Sequence, residues 1–237
     1  GRAARGMKSV WKWARRLLAG LALAVLAWQG WYLGWVVAWR YSNPGSTRFM
    51  AQRLDELRAK NPAAELKHHW VPYGRISVQL KRAAIAAEDA RFSEHEGFDW
   101  EGIQKALEKN QKKGRVVAGG STITQQLAKN LFLTPEKTPW RKAQEAVITL
   151  MLEAVLDKRR ILEIYLNVVE WGTGVFGAEA AARHYYGVPA AQLSAEQAAR
   201  LAVMLPNPRR FERLPNSAYL AERTRVILER IAAAELP

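Results

Sequence analysis

From Leu17 to Trp39 the chain runs 23 residues, LLAGLALAVLAWQGWYLGWVVAW, without a charged side chain, and Gln29 is its only strongly polar group. As a helix this run reaches about 35 Å at ~1.5 Å per residue, enough to cross a hydrocarbon core of roughly 30 Å. Arg2, Arg5, Lys8, Lys12, Arg15 and Arg16 precede it with no acid among them, the flank expected on the cytoplasmic side. Trp11 and Trp13 mark one edge, and Trp31, Tyr32, Trp35, Trp39 and Tyr41 the other, as interfacial aromatic belts do. A cleaved signal peptide would carry an apolar region of only ~7–15 residues and a small-residue cleavage site. This run is longer and ends in bulky tryptophans, so it reads as an uncleaved anchor. The expected organisation is a basic cytoplasmic tail at 1–16, a transmembrane helix at 17–39, a membrane-proximal segment at 40–69 and one domain at 70–237. Met7 offers an alternative start, which would leave residues 1–6 outside the native chain.

Composition then limits the partner. The 237 residues carry a formal charge of +14, and the part beyond the anchor stays net positive, so an anionic ligand is expected. On the far side of a membrane, nucleic acid is a poor candidate and a membrane-embedded anionic substrate a good one. The absence of cysteine excludes disulfides and thiolate chemistry.

Beyond the anchor, YSNPGS (41–46) reads as a turn-rich exit, and 47–60 as an amphipathic helix lying near the membrane surface. Residues 61–76 read as irregular. The rest is punctuated like an all-helical domain. Ser77 caps a helix that runs on through residue 91, and Asp99 caps another that stops at Gly114. Ser121 opens the next, and Thr138 followed by Pro139 opens a long helix to about Leu156. Ser194 and Gln197 fit a capping box. Strand-like alternation is scarce, so the expected class is mainly α.

Four stretches carry candidate chemistry. In EDARFSEHEGFDW (88–100), Glu88, Phe92 and His95 share a face if the helix persists, and Glu88 follows the apolar run AAIAA. A carboxylate held against apolar neighbours has its pKa pushed up, toward the range of a general base. A solvated helix end and a metal site are the rival readings, the latter weakened by the absence of HExxH. In GGSTITQQLAKN (119–130), Thr122, Gln126 and Lys129 fall at i, i+4 and i+7, a polar stripe suited to a phosphorylated, hydroxyl-rich ligand. In WRKAQEAV (140–147), Arg141 lies one turn from Glu145 with Lys142 adjacent; this is either a surface salt bridge or a carboxylate held in register beside cations for a diphosphate. KRRILEIYLNVVEWGTGVFGAEAAARHYYG (158–187) reads as architecture, with His184 a packing residue.

Five ordered blocks, EDARFSEHEGFDW, GGSTITQQLAKNLFL, RKAQE, KRRILEIYLNVVEWGTGVFGAEAA and LSAEQAARLAVMLPNP, closely resemble the peptidoglycan glycosyltransferases of family 51. The resemblance covers about residues 70–215 and points to the form without a penicillin-binding transpeptidase domain. It implies a bilobed, lysozyme-like helical domain behind one transmembrane helix. It also implies that the domain extends glycan strands from lipid II at the outer, periplasmic face of the inner membrane. Carried onto this sequence, Glu88 matches the general base and Glu145 the second catalytic glutamate. Lys129, Arg141 and Lys142 match cations around the leaving diphosphate, and Asp89, Phe92, His95, Thr122, Gln126 and Asn130 match other substrate-site positions. Mg²⁺ or Mn²⁺ enters as a candidate assistant without a protein metal site, and residues 114–120 resemble a mobile segment. Lipid II, the growing glycan chain, the membrane and other cell-wall synthesis or division proteins are the expected partners. The alternatives are a lytic transglycosylase or muramidase, which has no phosphate to hold, and a non-catalytic membrane-anchored partner of the same machinery.

Overall fold

A computed structural model describes residues 2–116 and 119–237, with side chains from residue 10 onward. Helix α1 spans Arg2–Ala38 as one element, so the basic tail continues the spanning helix. Most of its apolar side chains stay exposed, as lipid-facing residues must. Among its described side chains only Tyr32 and Val36 are buried, with Trp39 just past its end, where the helix meets the rest of the protein.

Helix α2 (Arg48–Arg58) is capped by Thr47, whose hydroxyl accepts from the Met50 amide. The amphipathic pattern expected of this helix is explained by packing. Phe49 and Met50 are buried and α2 packs on a later helix, making it a wall of the domain. The stretch expected to be irregular contains a short strand, β1 (Lys67–His68). Ser77 caps α3 (Val78–Glu88), which ends at Glu88 rather than running on: Asp89 has φ −161° and ψ 72°, outside the helical region. The shared helical face of Glu88, Phe92 and His95 therefore does not form. Asp99 caps α4 (Trp100–Lys113), which stops at Gly114 in the left-handed region, φ 60°. Only Ala106 of α4 is buried, so this helix stands away from the main core.

The segment 114–120 expected to be mobile includes residues 117 and 118, which lie outside the described residues. Helix α5 (Ile123–Phe132) starts one residue later than expected, because Thr122 rather than Ser121 makes the cap, in a capping box with Gln125. Helix α6 (Pro139–Val155) begins at Thr138 and Pro139 as the sequence predicts. Helix α7 (Lys158–Val168) is the centre of the core: Ile161, Leu162, Ile164, Tyr165, Leu166 and Val168 are all fully buried.

The glycine-rich reversal forms β2 (Glu170–Gly172) and β3 (Val175–Phe176), giving a three-stranded sheet of order β1-β3-β2. Gly177 is required there. At φ 85° a Cβ would meet the Asn167 carbonyl oxygen at 2.5 Å. Helices α8 (Ala178–Tyr186), α9 (Ala195–Met204), α10 (Pro208–Arg213) and α11 (Ala218–Arg230) complete the chain, with α9 sandwiched between α3 and α11. The architecture is the lysozyme-like helical domain with one long apolar helix at its N-terminus.

Candidate active site

The end of α3 sets the first wall. Glu88 is its last residue, and burial pushes its carboxyl above the usual carboxylate range. The Gln126 Nε2 donates to its Oε2 at 2.7 Å, and this bond, with the Lys129 charge, acts in the opposite direction. Gln126 is in turn oriented by the Tyr165 hydroxyl, which donates to its Oε1 at 3.0 Å. A core tyrosine of α7 thus fixes the amide on α5 that holds the carboxylate on α3.

Asp89 performs a different task. It is buried, and its two oxygens accept from His95 Nε2 at 2.7 Å and from the Ile123 amide at 3.0 Å. The second bond satisfies a free N–H at the start of α5 and ties it to the end of α3. The Gly97 amide donates to His95 Nδ1 at 3.1 Å, so Nε2 carries the ring's proton and donates to Asp89. Phe92 is fully buried, edge-on to the His95 ring and beneath the Lys158 ammonium, 4.6 Å from its ring centroid. Thr122 is also consumed by the framework: its hydroxyl donates to the Gly97 carbonyl at 2.6 Å and accepts from Gln125. Phe92, His95 and Thr122 thus hold the corner 89–97 in place. The stripe predicted on α5 is shortened to Gln126 and Lys129, joined by Asn130.

Those three residues line a cleft of about 180 Å³ with Tyr165, Arg53 of α2 and Arg209 of α10. Burial lowers the affinity of Lys129 for its proton, Glu145 counteracts this, and Arg141 and Lys142 reinforce it. On α6, Glu145 is buried and held by Arg141 Nη1 at 2.8 Å and by Lys142 Nζ. The Arg141 Nε is buried and has no partner among the described residues. The site therefore brings together a carboxylate held by an amide with its proton affinity raised by burial, a half-buried ammonium and a guanidinium with a donor to spare.

Arg53, Arg209 and Glu170 escaped the sequence reading. Arg53 Nε lies 3.3 Å and Arg209 Nε 3.9 Å from Glu170 Oε1 at the cleft wall. They come from α2, α10 and β2, so no local spacing announces them. Glu170, in a stretch read as architecture, is pushed above the usual range by its burial.

The residues do not fit a protein-held divalent cation. Among the described residues no group of three His, Asp or Glu side chains is placed to hold a metal ion. Glu88, Asp89 and Glu145 are each engaged by the partners given above.

Residues 54–232 match the family model described as Transglycosylase, and the chain belongs to that family. Among its curated relatives is the biosynthetic peptidoglycan transglycosylase of Dechloromonas aromatica, 65% identical over 231 residues, covering 98% of this chain and 100% of the relative. The protein of the same name from Azoarcus is 62% identical over 234 residues, with 98% and 100% covered. That of Laribacter hongkongensis is 60% identical over 226 residues, with 95% and 99% covered.

Proposed function

We propose that this peptidoglycan glycosyltransferase of cell-wall synthesis polymerises lipid II into β-1,4-linked glycan strands and releases undecaprenyl diphosphate. What supports the reading is that the Gln126-bonded Glu88 lies within the electrostatic reach of Lys129, and Lys129 within that of Arg141. This arrangement sets a proton acceptor beside cations suited to a diphosphate.

Glu88 accepts the proton of the acceptor's GlcNAc 4-hydroxyl. The freed oxygen attacks C1 of the donor's MurNAc, the C1–oxygen bond to the diphosphate breaks with its electron pair, and the anomeric configuration inverts. Its raised proton affinity makes Glu88 a stronger base than an exposed glutamate, and general base catalysis contributes about 10²–10⁴-fold. Lys129 and Arg141, with Lys142 at the rim, stabilise charge developing on the leaving group. Glu145 holds the two α6 cations in register. Asp89 fixes the corner between α3 and α5, Gln126 orients Glu88, and Asn130 lines the cleft. The basic flank of α1 supports an N-terminus in the cytoplasm, an anchor in the inner membrane and a domain on its periplasmic face.

Polymerisation of purified lipid II by the wild type and by Glu88→Gln tests the reading. Wild type is expected to make glycan and the variant to lose at least about 10²-fold in turnover. Undiminished polymer from the variant would refute the base assignment. Degradation of preformed glycan by the wild type would favour a lytic enzyme instead.

A further inference from the structure

Gln29, the one strongly polar group of the apolar run, does not face lipid. Its Nε2 donates to Gln144 Oε1 at 2.7 Å, and Gln144 Nε2 donates back to Gln29 Oε1 at 2.9 Å. Gln144 directly precedes Glu145 on α6. Successive helical side chains diverge by about 100°, so one can face the anchor while the next faces the cations and Lys129.

The surroundings make this pair costly to open. Gln29 stands about 15 Å along α1 from Trp39, well inside the spanning run. On α6 the neighbouring Trp140, Val147 and Leu150 are exposed apolar residues, as suits contact with lipid. Water is scarce at such a level, and an amide that loses its partner there finds no replacement. Just past the helix Arg160 Nε donates to the Trp39 carbonyl at 2.9 Å, whereas the other described contacts along α1 itself are apolar and aromatic, such as Tyr32 against Phe132. Contacts of that kind bind but tolerate sliding, whereas a reciprocal amide pair defines one register.

We propose that Gln29 is a positioning residue for glycosyl transfer: by pairing with Gln144 it fixes the height and rotation of α6 against the anchor, and so sets Arg141 and Glu145 relative to Glu88 and Lys129. This rests on the roles given to those residues above. The membrane anchor is then a working part of the site and not a generic tether.

The test uses the full chain in lipid vesicles with lipid II as substrate, comparing Gln29→Leu, Gln144→Leu, the double variant and Gln29→Glu. Each Leu variant is expected to lower kcat about tenfold with KM nearly unchanged, because a small misplacement of catalytic groups acts on the reacting geometry. The double variant should be no slower than either single one, since the two amides act as one unit. Gln29→Glu should recover most of the turnover, since a carboxylic acid at that position both donates and accepts as the amide does. Wild-type kcat in both Leu variants, a rise in KM alone, or losses that multiply in the double variant would each overturn the inference. If a Leu variant fails to fold, a Gln29→Glu protein that folds with kcat lowered about tenfold or more overturns it equally. A wild type that makes no polymer would refute the enzymatic reading instead.

Discussion

The two ends of the site each hold a carboxylate, and they hold it in opposite ways. Glu88 sits at the end of α3 with one neutral amide as its direct partner, and burial raises its proton affinity. Glu145, more deeply buried, is gripped by Arg141 and Lys142. The difference separates their tasks. A carboxylate starved of compensation takes up a proton readily, while one already neutralised by two cations serves to orient them. Residue type alone, Glu in both places, carries none of this distinction.

The largest effect that could break the comparison lies on the cationic side. Lys129→Ala and Arg141→Ala are each expected to cost about 10²–10³-fold in turnover, as removal of a group aimed at developing charge does elsewhere. Steady-state polymerisation of lipid II measures this, and a loss below threefold in both would place the leaving group elsewhere.

Stability separates the two carboxylates by sign. Glu145→Ala strands a half-buried guanidinium and should destabilise the fold by about 2 kcal/mol, discounted because Lys142 is exposed. Glu88→Gln should instead stabilise it, by about 1 kcal/mol near neutral pH. The sign follows from linkage. A carboxyl with a raised folded pKa is penalised once pH exceeds its unfolded value, and the penalty is complete above the folded one. Replacing it with an amide removes that penalty. Chemical denaturation of both variants at neutral pH checks the pair of signs, and a destabilised Glu88→Gln would contradict the account of the first site.

Much of this was legible from local signals. The anchor is one continuous run of sequence, and the caps at Ser77, Asp99, Thr138 and Ser194 and the Arg141–Glu145 turn depend on neighbours within four residues, which sequence spacing reports directly. Misreadings arose where a tertiary bond overrode a local pattern. The end of α3 is set by Asp89 turning toward His95 and the Ile123 amide, contacts 6 and 34 residues away. Thr122 displaced Ser121 as cap because its hydroxyl also reaches Gly97. The amphipathic pattern of α2 was legible, but the surface that buries Phe49 and Met50 comes from distant segments. Gln29 was visible as an anomaly, but its partner lies 115 residues along the chain.

Burial, balanced by the Gln126 amide, sets the proton affinity of the group that activates the acceptor in this mechanism. The acid limb of the pH–rate profile for lipid II polymerisation, in wild type and in Gln126→Leu, reports that affinity. The limb of the wild type should lie above the ordinary carboxylate range. Removing Gln126 takes away a donor to the charged form, so the variant's limb should move to higher pH. A limb that stays at ordinary carboxylate pH in both proteins, or moves toward acid in the variant, would contradict the assignment of Glu88 as the base.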